Sequence, residues 1–191
     1  MTKIDDLRKA LKLYHPKQIA LREYPDFTRA AVLVPLFQSS EGLSTILTKR
    51  TDLVDTHKGQ IAFPGGMVDG KDVDIVSTAL RETREELGIG ESDVEVLGIL
   101  DDLPVPSKFI ITPVVGYIGC RPKVSPHSLE VAEVFDVPLS FFNNEKNTWT
   151  EEREFRGTRR TVWFYSYEER IIWGATAATI RNLLSVIYPP V

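Results

Sequence analysis

The sequence predicts an α/β (α+β) fold in which a mixed β-sheet lies between helices. Apolar segments of strand length occur between segments whose apolar residues recur at helical spacing. Such mixed strands between helices are typical of an α/β sandwich. The 191 residues, 42% hydrophobic and 26% charged, fit one globular domain and not a disordered or membrane-embedded chain. We therefore expect a single domain over residues 1–191, because no repeat or interdomain linker interrupts the pattern.

The elements follow in chain order. Ile4, Leu7 and Leu11 predict a short amphipathic helix that ends near His15 and Pro16. The strand candidates are apolar runs bounded by turn residues: 30–37, 43–48, 60–63, 94–103, 110–118 and 131–137. The first two are expected to form a hairpin, and the loop 104–109 is expected to form a wall of the substrate site. Two further helices are predicted over 76–87 and 175–187, the second ending before a Pro-Pro pair.

Three glutamates on the helix 76–87 are the strongest functional signal. Glu82, Glu85 and Glu86 fall at i, i+3 and i+4, so their carboxylates share one helix face. Clustered acids whose charge is only partly matched favour a counter-ion, and oxygen ligands favour a hard divalent cation such as Mg²⁺ or Mn²⁺. The alternative is a solvated helix face, on which Arg81 and Arg84 pair with the neighbouring glutamates.

The residues before this helix favour the metal site. Phe63, Pro64, Gly65 and Gly66 predict a strand end followed by a turn, in which glycines permit positive φ and close approach of a ligand to the backbone. A helix rich in acids that follows such a loop is suited to phosphate chemistry. The backbone carbonyl of Gly66 is a further candidate oxygen ligand.

These residues resemble the Nudix box. The pattern is Gly66, five residues, Asp72, and then Arg81-Glu82-Thr83-Arg84-Glu85-Glu86-Leu87-Gly88-Ile89. The chain departs from the usual box in having Asp72 in place of the first glutamate, with eight rather than seven residues before Arg81. The resemblance implies a Nudix-like α/β/α sandwich and metal-dependent hydrolysis of a nucleoside diphosphate linked to another group.

A second set of motifs resembles the coenzyme A pyrophosphatase branch of that family. The motifs are 46–50 and 57–66, with further matching segments at 29–35, 112–116, 130–131, 138–139 and 173–177. The implied reaction cleaves coenzyme A into 3′,5′-ADP and 4′-phosphopantetheine. That branch usually has an arginine four residues before Gly59, where this chain has Asp55.

The resemblance also implies roles for individual residues. Glu82, Glu85 and Glu86 would hold the metal, with Gly66 contributing its carbonyl, while Arg81 orients the carboxylates through an i, i+4 contact with Glu85. The general base is either a glutamate of the box or Glu130, for which a solvated acid at a strand end is an equal alternative. The candidates for substrate binding are Lys49, Arg50, His57, Lys58, Gly65 and Gly66.

Two other functions stay open at this point. One is hydrolysis of a different nucleoside diphosphate derivative, such as a nucleotide sugar, ADP-ribose or a dinucleoside polyphosphate. The other is a non-catalytic nucleotide-binding module, from which loss of the acids of the box would be expected, although Glu82, Glu85 and Glu86 are all present.

Composition indicates the cellular location and the kinds of partner to expect. A net charge of −4 argues against broad nucleic-acid binding, and the charged N-terminal segment is unlike a signal peptide, so we expect a cytoplasmic protein without membrane segments. The single Cys120 is expected to be a buried or inert thiol. We expect a homodimer, both from the resemblance and because the C-terminal third is apolar and aromatic. Its aromatic residues Trp149, Trp163, Tyr165 and Tyr167 are candidates for stacking on an adenine, but their spacing in strand-like sequence favours packing in the core or between subunits.

Overall fold

The structure is a computed structural model that describes residues 4–53, 58–127 and 129–188. Its helices are α1 (Ile4–Leu13), α2 (Ile75–Leu87), α3 (Leu139–Phe142) and α4 (Gly174–Ile187). Its strands are β1 (Thr28–Ser39), β2 (Gly42–Arg50), β3 (Ile61–Ala62), β4 (Gly65–Met67), β5 (Glu95–Ile99), β6 (Leu103–Pro104), β7 (Phe109–Cys120), β8 (Val131–Pro138), β9 (Thr148–Phe155), β10 (Thr158–Tyr167) and β11 (Arg170–Trp173).

The large sheet is mixed, as the sequence predicts. Its main strand order is β3-β2-β1-β7-β5, with β4 paired to β1, β6 to β7 and β8 to β2. The two central strands, β1 and β7, run parallel, whereas the other pairs are antiparallel. β1 and β2 form the expected hairpin, with Ser39 opposite Gly42.

Helices cover both faces of this sheet. On one face, Ala31 and Leu33 of β1 pack with Ala79 of α2. On the other, Val34 and Leu36 share a core with buried residues of α1 and α4. Because side chains alternate along a strand, burial of both faces explains why β1 reads as a continuous apolar run. The fold is therefore the α/β/α sandwich that was expected.

A separate three-stranded antiparallel sheet, β9-β10-β11, adjoins α4. Tyr165 is fully buried against Phe142, and Tyr167 stacks near Phe135. The expectation that aromatic residues of this region pack in the core is confirmed for these two tyrosines. Trp149 keeps 40% of its surface exposed.

Three local expectations differ from the structure. The predicted strand 94–103 is split into β5 and β6, because Asp101 and Asp102 between them accept backbone N–H bonds from Lys17 and Ile19. The predicted turn at 65–66 is instead the short strand β4. Cys120 is exposed at the end of β7, so its predicted burial is wrong.

Two of the residues discussed above cannot be placed in the fold. His57 and Asp55 lie outside the described residues. Across the described ranges, every helix is too short or too polar to cross a lipid bilayer.

Candidate active site

A cavity of about 700 Å³ lies where the main sheet, α2 and α4 meet. Its walls come from β1, β3 and β4, from the acidic face of α2, from the loop after β6, and from the first residues of α4. The loop residues Val105, Pro106 and Ser107 line it, as the sequence predicts for that segment. This volume lies within the range of small-ligand pockets.

The helix that carries the acids is fixed at both ends by local chemistry. Asp74 caps its N-terminus, where the carboxylate accepts a 2.7 Å hydrogen bond from the Ser77 amide. Gly88 ends it in the left-handed conformation, with φ at 71°. Buried Ala79 and Leu87 hold α2 against the sheet. With both ends and one face held in this way, α2 presents Glu82 and Glu86 to the cavity in fixed positions.

The acids of α2 diverge more than the sequence suggests. Glu82 and Glu86, one turn apart, line the cavity, whereas Glu85 does not and leaves 53% of its side chain exposed. Glu86 retains only 5% exposure. The cavity is also lined by two acids from outside α2: Asp69, which follows β4, and Glu130, from a distant part of the chain.

Glu130 reaches the site because the preceding loop is bound to the end of α2. The amides of Ser125 and His127 donate to the carbonyls of Leu87 and Glu86 at 2.8 and 2.9 Å, which satisfies helix carbonyls that lack intrahelical partners. The Glu130 carbonyl then accepts a bond from the Thr51 amide at the end of β2. Burial raises the pKa of both Glu82 and Glu86, and the negative charge of Glu130 adds to that effect.

Glu86 is a buried carboxylate whose charge is poorly matched. Burial raises its pKa to about 8, and the neighbouring Glu82 and Glu130 add to that effect, while Arg50 and the Gly65 amide oppose it. The Arg50 Nη1 atom lies 3.8 Å from Glu86 Oε1, too far for a hydrogen bond. Arg50 Nε is buried without a hydrogen-bond partner. Both groups therefore lack partners that a bound cation and an anionic ligand would supply.

Arg81 is held mainly by Asp72. Its Nε and Nη2 atoms each lie 2.9 Å from an Asp72 oxygen, in a bidentate pair. Nη1 donates to Glu82 at 2.8 Å and to Glu85 at 3.3 Å. This pairing with Arg81 lowers the pKa of Asp72 and raises that of Arg81. Asp72 thus anchors the guanidinium that positions Glu82.

Two glycines allow β4 to approach its neighbours closely. A Cβ on Gly65 would lie 2.2 Å from the Ala31 carbonyl oxygen. A Cβ on Gly66 would lie 2.5 Å from Glu82 Cδ, within the space that the carboxylate occupies. Gly65 therefore allows β4 to lie close to β1, and Gly66 makes room for Glu82. Both act through close approach within the protein and not through a turn.

The predicted substrate-binding residues divide into two groups. Arg50, Gly65 and Gly66 line the cavity, whereas Lys49 and Lys58 do not. Lys49 is exposed, and the pairing of β2 with β8 shifts register between Lys49 and Arg50.

The site fits a divalent cation in donor chemistry and charge. Within the described ranges, no three or more acidic, histidine or cysteine side chains stand in a ready metal-holding arrangement. Burial nevertheless raises the pKa of Glu82 and Glu86. Arg81 partly offsets the charge of Glu82, whereas the ionised form of Glu86 has little compensation. A hard cation would supply it. The fit therefore rests on the buried carboxylate of Glu86 and the partly buried one of Glu82, and not on a closed ligand shell.

Sequence reasoning missed one part of the cavity. Trp173, Ala175 and Thr176, where β11 leads into α4, form the wall that lies far from the acids in sequence. Thr176 Oγ1 donates to the Ile61 carbonyl at 2.9 Å and thereby fixes this corner to β3. The segment 173–177 belongs to the motifs that carry the family resemblance, but the motif alone does not show that these residues lie at the cavity.

Comparisons with known proteins agree with this architecture. Residues 27–164 match the NUDIX domain family. A protein of Photorhabdus laumondii named "Uncharacterized Nudix hydrolase NudL" is 40% identical over 156 residues, covering 81% of this chain and 82% of the relative. A protein of the same name from Enterobacter sp. is 38% identical, covering 94% and 92%. The crystal structure of a NUDIX hydrolase from Alicyclobacillus acidocaldarius superposes with a TM-score of 0.53 at 17% identity, covering 85% of this chain and 91% of that one.

Proposed function

The chain belongs to the Nudix hydrolase family, and from that premise we propose that it cleaves the pyrophosphate bond of coenzyme A or its derivatives. Water adds across the bond, giving 3′,5′-ADP and 4′-phosphopantetheine. The observation that carries the proposal is that one ligand-sized cavity holds the buried Glu86, the partly buried Glu82 and Glu130, and the partly unpaired Arg50. Phosphate hydrolysis requires both kinds of charge in one site, because the carboxylates bind a cation and the guanidinium binds the anionic substrate.

Divalent metal ions are used generally in this family, and we assign Mg²⁺ or Mn²⁺ to Glu82, Glu86 and the Gly66 carbonyl. Bound by these groups, such an ion would offset the negative charge of the pyrophosphate and activate water for attack. Glu85 is assigned a smaller share of the binding, because it lies outside the cavity wall. Arg81, anchored by Asp72, keeps Glu82 in place.

Two residues act on the reactants directly in this proposal. Glu130 accepts the proton of the attacking water, since it lines the cavity beside Glu82 and Glu86. Arg50 binds a phosphate oxygen, which gives its buried Nε the acceptor that it lacks. Gly66 contributes by leaving space for Glu82, and Gly65 by allowing β4 to lie close to β1.

The choice of coenzyme A rests on sequence motifs. Residues 46–50 and 57–66 resemble the coenzyme A pyrophosphatase branch, and both segments supply cavity residues, among them Arg50 and Phe63. Asp55, which replaces a usual arginine, points toward the second candidate, hydrolysis of a nucleotide sugar, ADP-ribose or a dinucleoside polyphosphate. A cytoplasmic location and a homodimer remain predictions.

The test is mass-spectrometric product analysis with coenzyme A, ADP-ribose and a nucleotide sugar, each with Mg²⁺, with Mn²⁺ or with a chelator. We expect 4′-phosphopantetheine and 3′,5′-ADP in the two metal arms only. Cleavage of another substrate, with coenzyme A intact, would transfer the proposal to that substrate. Intact substrates in every arm would favour a non-catalytic binding module.

A further inference from the structure

Three aromatic rings form a continuous stacked row on the small sheet. Trp149, Phe164 and Trp173 are directly opposite one another on β9, β10 and β11. Trp149 and Phe164 have centroids 5.1 Å apart and an interplanar angle of 12°, and Phe164 and Trp173 have 5.9 Å and 5°. The three ring planes are thus nearly parallel, and the row runs across the strands.

The two ends of this row have different surroundings. Trp149 ends it on β9, the outer strand of the small sheet, and is 40% exposed. Trp173 ends it on β11 and lines the large cavity. The cavity therefore lies at the end of an established stacking series, whereas the far end meets solvent.

Arg153 does not close the cavity end. Its guanidinium carbon lies 5.2 Å from the centroids of both Phe164 and Trp173. A group against the outer face of Trp173 would be farther from Phe164 than from Trp173, so this equal distance places Arg153 over the gap between the two rings. The guanidinium adds positive charge beside the row and does not lie against the outer indole face of Trp173, the residue of the row that lines the cavity.

We propose that Trp173 is the stacking platform for the nucleobase of the substrate, which continues the row as its fourth ring. The inference rests on the proposed function, because a nucleoside diphosphate derivative carries both groups that the cavity would then bind. Its phosphates lie near Arg50 and the acids, and its planar base lies against Trp173. Every base has an aromatic face, so this contact selects for a base of any kind and favours the larger purines.

The test measures binding of adenosine 5′-monophosphate and of ribose 5-phosphate, which lacks the base, in the absence of metal. We expect Trp173→Leu to weaken binding of the nucleotide at least fivefold and to change binding of ribose 5-phosphate less than twofold. Trp173→Phe keeps a ring and should stay within about threefold of wild type. Trp149→Leu is the matched control, since it removes the opposite end of the same row, and should leave both affinities unchanged.

A second readout does not depend on tolerance of leucine at 173. The nucleotide should quench tryptophan fluorescence in wild type and in Trp149→Phe, and this quenching should be lost in Trp173→Phe. Equal weakening by Trp149→Leu and Trp173→Leu, equal loss for both ligands, or quenching that survives in Trp173→Phe would overturn the inference. Failure of the proposed function has a different signature: wild type would bind the nucleotide but cleave no pyrophosphate substrate.

Discussion

The two ends of the cavity are built on opposite physical principles. At the acidic end, Glu82, Glu86 and Glu130 lie together with raised pKa values at Glu82 and Glu86 and with incomplete pairing. At the aromatic end, rings of β9, β10 and β11 stack on one another. The aromatic end is stabilised by its own contacts, whereas the acidic end requires a ligand to complete it. Substitutions should therefore affect activity and stability in opposite ways at the two ends.

The largest effect is expected at the most buried acid. Glu86→Gln keeps the shape of the side chain and removes its charge, so we expect kcat to fall about 10³-fold because a charge that stabilises the transition state is lost. Steady-state kinetics with saturating Mg²⁺ tests this, with Glu91→Gln, an exposed acid beyond the end of α2, as the control. Wild-type turnover in Glu86→Gln would show that this carboxylate is not a metal ligand.

The next effect comes from the glycine beside Glu82. Gly66→Ala places a methyl group within the volume of the Glu82 carboxylate, and we expect a loss in kcat on the order of 10²-fold from its displacement. Gly70→Ala is the matched control, since a Cβ there meets nothing within 4 Å. Equal activity of the two variants would contradict the assigned role of Gly66.

Stability should change in the direction opposite to activity. The pKa of Glu86 is about 8 when folded, above the ordinary value of 4.5, so its penalty is absent below pH 4.5 and grows as the pH rises toward 8. Without metal, Glu86→Gln should unfold with a free energy roughly 2–5 kcal/mol larger than wild type at pH 8.5. The difference should shrink toward pH 5. Urea denaturation at both pH values measures it.

The control for that prediction is the aromatic end. Trp149→Leu removes packing area without removing buried charge, so we expect it to lower stability by about 1–2 kcal/mol at both pH values. The proposed contrast between the two ends would be contradicted if the loss of stability in Trp149→Leu depended on pH, or if the gain in Glu86→Gln did not.

The smallest catalytic effect is expected at Arg50. Arg50→Lys keeps the positive charge and loses the planar fork, so KM should rise about tenfold with a smaller change in kcat. Lys49→Arg is a suitable control, because Lys49 lies off the cavity wall. An unchanged KM would show that Arg50 serves only to offset the charge of Glu86.

Local signals made much of the fold accessible from sequence. Helix α2 has its cap at Asp74 and its stop at Gly88, and the β1–β2 hairpin has its turn within four residues. The break between β5 and β6 was not accessible, because it depends on hydrogen bonds from Lys17 and Ile19, more than 80 residues away. Propensity within the segment does not contain that information.

The site shows the same division. Spacing on a helix placed Glu82 and Glu86 on one face and indicated the contact between Arg81 and Glu85, but it does not show that Glu85 lies off the cavity and toward solvent. The position of Glu130 depends on hydrogen bonds between its loop and the end of α2. Trp173 reaches the cavity only through the pairing of β11 with β10 and its contact with β3. Long-range pairing decides these positions.

The most direct test of the acidic end is calorimetric titration of Mn²⁺ into the metal-free protein without nucleotide. We expect saturable binding by wild type and by Trp149→Leu, and affinity at least tenfold weaker in Glu86→Gln. Equal affinity in wild type and Glu86→Gln would contradict the account, because the buried, poorly matched carboxylate would then not be what recruits the cation.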